Sequence, residues 1–118
     1  MIGIPTALSL VAAAAAPVAF VCNMKALSPA ERVRHTANTL RLKTAVVETQ
    51  EAERSLRFRL SDESMDLTAL AEWVRLERRC CPFFTFKIDM EGDGGPTWLT
   101  LSGESGVKEF IRLEIGVQ

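Results

Sequence analysis

Two stretches, Phe83-Phe84-Thr85-Phe86-Lys87-Ile88-Asp89-Met90-Glu91 and Thr97-Trp98-Leu99-Thr100-Leu101-Ser102, are joined by Gly92-Asp93-Gly94-Gly95-Pro96, and this region decides the fold. In the first stretch Phe84, Phe86, Ile88 and Met90 fall on one face of an extended chain, because successive strand side chains point to opposite sides. The Gly- and Pro-rich linker cannot continue a strand. Residues 83–102 therefore read as an antiparallel hairpin.

Working back from the hairpin, Leu67, Leu70, Ala71 and Val74 recur at helical spacing behind Asp66, a natural cap. They predict a helix from Asp66 to Cys80, which Pro82 stops by disfavouring helical backbone in the residue before it. Leu56-Arg57-Phe58-Arg59-Leu60 alternates strictly, a half-buried strand with both arginines facing out. Further upstream, Ser28-Pro29-Ala30-Glu31 fits a capping box with proline at the first helical position. Val33, Ala37, Leu40, Thr44 and Val47 then mark an apolar helix face reaching about Gln50. After the hairpin, Gly106 to Glu114 reads as a last helix, with Val107, Phe110 and Ile111 inward.

The predicted order is helix, strand, helix, strand, strand, helix. That order implies an α+β fold in which a small, mostly antiparallel sheet carries helices on one face. Three strands make a narrow sheet for three helices, so a homodimer covering more apolar surface is expected.

The 118 residues suffice for one domain, and 47% hydrophobic with 25% charged residues is the balance of a globular chain. With 14 Lys plus Arg against 15 Asp plus Glu, the net charge is −1. The basic excess that binding to phosphates requires is missing, so no nucleic-acid partner is expected. The charge is unevenly spread, for residues 1–24 carry none. Residues 1–21 form an apolar leader containing Ala12 to Ala16, and residues 22–118 form the single α+β domain. The leader has the composition of a secretory signal, a membrane anchor, or a leader without targeting role followed by a start at Met24. No Lys or Arg precedes the apolar run, Pro5 and Pro17 interrupt it, and Val21 before Cys22 is not the small residue of a lipoprotein site. These departures tilt the expectation toward the cytoplasm, with the membrane a partner only if residues 1–21 act as an anchor.

Glu77-Arg78-Arg79-Cys80-Cys81-Pro82 is the stretch that carries chemistry. Adjacent cysteines on a helix point about 100° apart and converge only if the last turn loosens, which Pro82 favours. The thiolate is both metal ligand and nucleophile. Arg78 and Arg79 would stabilise it, against the negative end of the helix dipole. Cys22 supplies a third sulfur if its segment folds back over the end of the second helix. Three thiolates suit soft ions such as Hg(II), As(III) or Cu(I), whereas zinc would call on His35 or Glu77 for a fourth ligand. A Cys80–Cys81 bridge would close a strained ring, so a redox role would pair one of them with Cys22. Cysteine is also among the most buried residue types, so plain packing competes with both readings.

The remaining polar residues offer less. His35 lies off the apolar stripe and reads as solvated. Asp62, Glu63 and Asp66 suit capping of the following helix. Asp89, Glu91 and Asp93 lack EF-hand spacing. No Ser-His-Asp set, phosphate-binding glycine loop or Cys-x-x-Cys occurs, so no assembled active site is read from the sequence.

The run Leu70-Ala71-Glu72-Trp73-Val74-Arg75-Leu76-Glu77-Arg78-Arg79-Cys80-Cys81-Pro82-Phe83-Phe84-Thr85-Phe86 resembles a segment of small bacterial proteins. It is also similar to a C-terminal domain attached to some MerR-type (mercury-resistance regulator) heavy-metal-responsive regulators. In those sequences a glutamate and a Cys-Cys pair precede aromatic strand residues, a Gly-rich turn and a Trp-Leu strand. Gly95-Pro96-Thr97-Trp98-Leu99 and Gly106-Val107-Lys108-Glu109-Phe110 continue the similarity. Cys22-Asn23-Met24 ahead of Ser28-Pro29-Ala30-Glu31-Arg32 fits its start. Residues 1–21 have the wrong composition for a DNA-binding helix-turn-helix. The resemblance thus implies a thiol-bearing or effector-type domain standing alone and favours soft-metal binding, for which Cys80, Cys81 and Cys22 are the candidate ligands.

Overall fold

A computed structural model of the protein describes residues 20–116. The leader expected over residues 1–21 lies outside the described residues except for Phe20 and Val21. Phe20 packs with its ring 5.1 Å from Phe83 and 6.1 Å from Phe110, so the packed body extends to at least two residues before Cys22. Among the described residues no helix is long and apolar enough to cross a membrane.

A single 3-10 turn, Met24–Ala26, leads into helix α1, Pro29–Ala45. Strands β1, Val46–Glu51, and β2, Ser55–Leu60, follow, then helix α2, Leu67–Cys80. Strands β3, Thr85–Met90, and β4, Thr97–Ser102, precede helix α3, Val107–Ile115. The α+β class and the antiparallel sheet are as the sequence predicts. The sheet has four strands in the order β1-β2-β4-β3, all antiparallel.

The added strand is β1, and it corrects the long first helix. α1 ends at Ala45, and Val46 to Glu51 pair with β2 instead of continuing to Gln50 as helix. Val46-Val47-Glu48-Thr49 is rich in β-branched residues, which sit well on a pleated surface, and β2 would otherwise expose its edge. The two arginines of β2 find partners in β1: Arg59 Nε donates to Glu48 at 3.0 Å and Arg57 Nη1 to Gln50 at 3.1 Å. Arg57 also lies 3.8 Å above the Trp98 ring, which closes that part of the open face.

The inward face of α1 also differs from the expected stripe. Val33 is 72% and Leu40 59% exposed, while His35, Asn38, Leu42 and Ala45 are buried. On α2 the buried set is Ala69, Leu70, Trp73, Leu76, Glu77 and Cys80, about a residue out of phase with the Leu67-to-Val74 reading. Both caps form as expected. Ser28 Oγ accepts from the Glu31 amide while the Glu31 carboxylate accepts from the Ser28 amide, and Asp66 Oδ1 accepts from the Ala69 amide.

β2 and β4 place Leu56, Phe58, Leu60, Leu99 and Leu101 on one side of the sheet, in direct register as Leu56↔Leu101 and Phe58↔Leu99. The three helices bury their apolar faces with these residues in one core. The β3–β4 turn uses Asp93 at φ 56° and Gly94 at φ 71°. Gly94 takes that left-handed conformation without steric cost, and Asp93 is among the few side-chain-bearing residue types that tolerate it.

Candidate metal centre

The site lies where α2 ends. Glu77 and Cys80 stand on the same face as Leu70, Trp73 and Leu76, and all five are essentially inaccessible. Cys81 leaves the helix at φ −124° and ψ 72°, although its N–H still donates to the Glu77 carbonyl at 2.7 Å. This departure ends the 100° divergence of neighbouring helical side chains and brings the Cys80 and Cys81 sulfurs to 3.9 Å. The loosened last turn expected before Pro82 is therefore present.

Cys22 arrives from the N-terminal segment. That segment is tied to α2 by a bond from the Asn23 N–H to the Cys80 carbonyl at 2.7 Å. Arg79 Nη2 adds a bond to the Ala26 carbonyl at 2.9 Å. Cys22 forms a disulfide with Cys81, their Cα atoms 4.6 Å apart, and Cys80 remains a free buried thiol. The three sulfurs nominated from the sequence thus meet at one place.

Two other helices contribute groups. α1 delivers His35, whose Nε2 lies 2.7 Å from Glu77 Oε1. α3 delivers Glu114, whose Oε2 lies 3.6 Å from Cys22 Sγ and 3.8 Å from Cys81 Sγ. Two sets of ligand atoms result, Cys22, Glu77, Cys81 and Glu114 in one and His35, Glu77 and Cys80 in the other. Within each set every atom lies within 4.8 Å of the rest. Among the described residues His35 Nδ1 is buried with no hydrogen-bond partner, and Glu77 Oε2 and Glu114 Oε1 find none beyond each other's carboxyl.

Burial drives every titratable group here toward its neutral form. It raises Glu77 above the usual carboxyl range. It pushes Glu114 up to about 9, aided by the hydrogen bond and charge of Glu77. It lifts the Cys80 thiol to about 12, with both carboxyls adding to the effect. The His35 ring is pulled below its ordinary value by the same burial, so at neutral pH its contact with Glu77 is a hydrogen bond of a neutral ring and not an ion pair.

The arginines expected to favour a thiolate do not serve the sulfurs. Arg79 is spent on Glu31, at 3.0 Å, and on Ala26, while Arg78 points to solvent. Carboxyls, not guanidinium groups, surround the thiols, because the cysteines face the core and the arginines occupy the opposite side of α2.

His35 was expected in solvent and is 3% exposed. It is held from behind: Thr39 Oγ1 donates to the His35 carbonyl at 2.8 Å, and Trp73 Nε1 donates to Thr39 Oγ1 at 3.0 Å. The imidazole also stacks on Trp73, ring centres 5.9 Å apart. Glu114 enters the sequence reading only as the end of the last helix, with no part in the site. Its signal was positional, since it stands seven residues after Val107 and three after Ile111, on the inward stripe of α3. Compared with known protein families, curated proteins and solved structures, the chain matches none of them.

Proposed function

We propose that the chain is a small binding or sensing domain for a thiophilic metal ion, held by Cys80, Cys81 and Cys22 with His35, Glu77 and Glu114 completing the donor set. The observation that carries this reading is the convergence on those sulfurs of an imidazole and two buried carboxyls, contributed by three different helices. A cluster kept only for packing gains nothing from burying such groups, because a buried polar group without a full set of partners costs about 1–3 kcal/mol. A metal ion satisfies them at once.

The spacing also fits. Two thiolates on one tetrahedral ion at about 2.3 Å each sit roughly 3.8 Å apart; Cys80 and Cys81 are at 3.9 Å. Sulfur donors favour soft ions such as Hg(II), As(III) and Cu(I), and the imidazole and carboxyls extend the set to Zn(II) and Cd(II). The resemblance to the C-terminal domain of MerR-type metal-responsive regulators supports the same reading. Thiol-transfer chemistry has the disulfide in its favour. Its free partner Cys80, however, is lifted to about 12, where the nucleophilic thiolate is scarce at neutral pH.

Titration of the dithiothreitol-reduced chain with Cd(II), followed by thiolate-to-metal charge-transfer absorption and native mass spectrometry, tests the proposal. The expected result is stoichiometric binding that Cys80→Ser combined with Cys81→Ser abolishes. Unchanged stoichiometry in that double variant, or no charge-transfer band in the folded reduced chain, overturns it.

A further inference from the structure

The disulfide and the proposed metal centre use the same atoms. Cys22 and Cys81 belong to one candidate ligand set, and their bond removes two of the three thiolates. A sulfur shared in a disulfide carries no negative charge for a cation. The Asn23 to Cys80 backbone bond, the Arg79 and Arg32 bonds to the Ala26 and Leu27 carbonyls, and the packing of Phe20 on Phe83 hold the Cys22 segment against α2 without the S–S bond. Opening the disulfide therefore leaves Cys22 beside Cys81, ready as a ligand, with no refolding required.

The sulfurs differ in access. Cys80 is 1% and Cys81 0% exposed, whereas Cys22 is half-buried at the edge of the site. Cys22 is thus the more exposed end of the bond, the side from which an external thiol would approach.

Resting on the metal-binding reading, we propose that the Cys22–Cys81 bond is a redox latch on the centre. The oxidised chain excludes the ion, and reduction by a dithiol admits it. One thiolate of the dithiol attacks Cys22 Sγ and releases the Cys81 thiolate. The second thiolate then resolves the mixed disulfide and frees Cys22. Two electrons and two protons pass to the chain while the dithiol becomes its own disulfide. Run in reverse, a low-molecular-weight disulfide takes the electron pair from the Cys22 and Cys81 thiolates and leaves as two thiolates, which take their protons from solvent, and the ion is expelled. Cys80 takes no part in the latch and stays outside the disulfide in both states.

The test compares Cd(II) binding by the full chain in two preparations of known thiol content. Titration in denaturant should find one free thiol in the air-oxidised chain and three after reduction and anaerobic desalting. Losing two direct ligands should weaken Cd(II) binding by more than the roughly 10–100-fold typical of losing an outer-sphere partner. Cys22→Ser cannot latch and should bind equally well with and without dithiothreitol, more weakly than the reduced wild type. Cys80→Ser should keep the dithiothreitol requirement. Circular dichroism of each preparation confirms that it is folded, and the wild-type comparison stands without either variant. Equal affinity of the one-thiol and three-thiol chains, or three free thiols in the air-oxidised chain, overturns the latch while leaving the metal reading intact. A folded three-thiol chain that binds no Cd(II) overturns the metal reading instead.

Discussion

Glu77→Gln separates a cluster kept for a ligand from one kept for the fold. Glu77 is fully buried, its Oε1 2.7 Å from His35 Nε2 and its Oε2 with no partner but the Glu114 carboxyl. Glutamine has the same shape. Its carbonyl oxygen accepts from the His35 Nε2–H, and its amide group donates to the Glu114 carboxyl in place of the carboxyl–carboxyl contact. Two facing buried carboxyls cost more than a carboxyl facing an amide, so the metal-free variant should be more stable than the wild type by about 1–3 kcal/mol. For a domain of this size each kcal/mol moves Tm by about 4–8 °C. The gain also depends on pH. Glu114 is raised from 4.5 to about 9 by burial and by Glu77, so the folded wild type holds a proton that the unfolded chain releases. Its stability is therefore full below pH 4.5 and drains as pH rises toward 9. With the second carboxyl gone that slope flattens, and the variant's advantage should be larger at pH 8 than at pH 5. Cadmium should act in the opposite sense. At a hundred times Kd it adds about 2.7 kcal/mol to the reduced wild type, and much less at the same concentration to a variant lacking one anionic donor. Thermal melts of reduced protein at both pH values, with chelator and with Cd(II), measure all of this. A variant less stable without metal at both pH values, yet stabilised by Cd(II) as the wild type is, would refute the reasoning and make Glu77 a structural anchor.

Trp73→Ala should destabilise the chain by about 3–5 kcal/mol in urea unfolding, the range for emptying a buried aromatic site. It also strips Thr39 of its donor and His35 of its stacking partner, and a loss under 1 kcal/mol would contradict the packing described. Glu31 is held down at about 2 by its bonds to the Ser28 amide and Arg79, so what it contributes is complete above pH 4.5 and lost as pH falls toward 2. The stability gap between wild type and Glu31→Gln should close over that acidic window in urea titrations; a constant gap from pH 7 to pH 2.5 would sink the assignment.

The hairpin, the strand at Leu56 to Leu60, both caps and the extents of α2 and α3 were legible because local patterning and tertiary packing agree there. The first helix was misjudged at its end and on its face for one reason. Apolar residues were taken to mark the inside, yet Val33, Leu40 and Val47 face solvent while His35 and Asn38 are buried. Asn38 pairs with Glu72, at 2.8 Å, and His35 with Glu77, partners 34 and 42 residues away that no helical periodicity reports. The three sulfurs were legible as a group, because a Cys-Cys pair before proline is unusual and the third cysteine sits just ahead of a capped helix. The carboxyls around them were legible only in part. Glu77 adjoins the pair in sequence, whereas Glu114 is brought in by the packing of α3. The arginines misled, since adjacency along a helix says nothing about which side faces inward.

α1 passes into β1 between Ala45 and Val46 with no intervening loop, so a winding of 100° per residue must hand over directly to a pleat that inverts at each step. The bulge between Val46 and Glu48 takes up the mismatch. Length in this part of the chain is consequently not free. One residue added or removed between His35 and Ala45 would swing the imidazole a quarter-turn or more away from α2, whatever the new residue was. The same change at Val47 would merely redraw the kink. Insertions and deletions compatible with an intact centre are thus confined, in this part of the polypeptide, to a single slot.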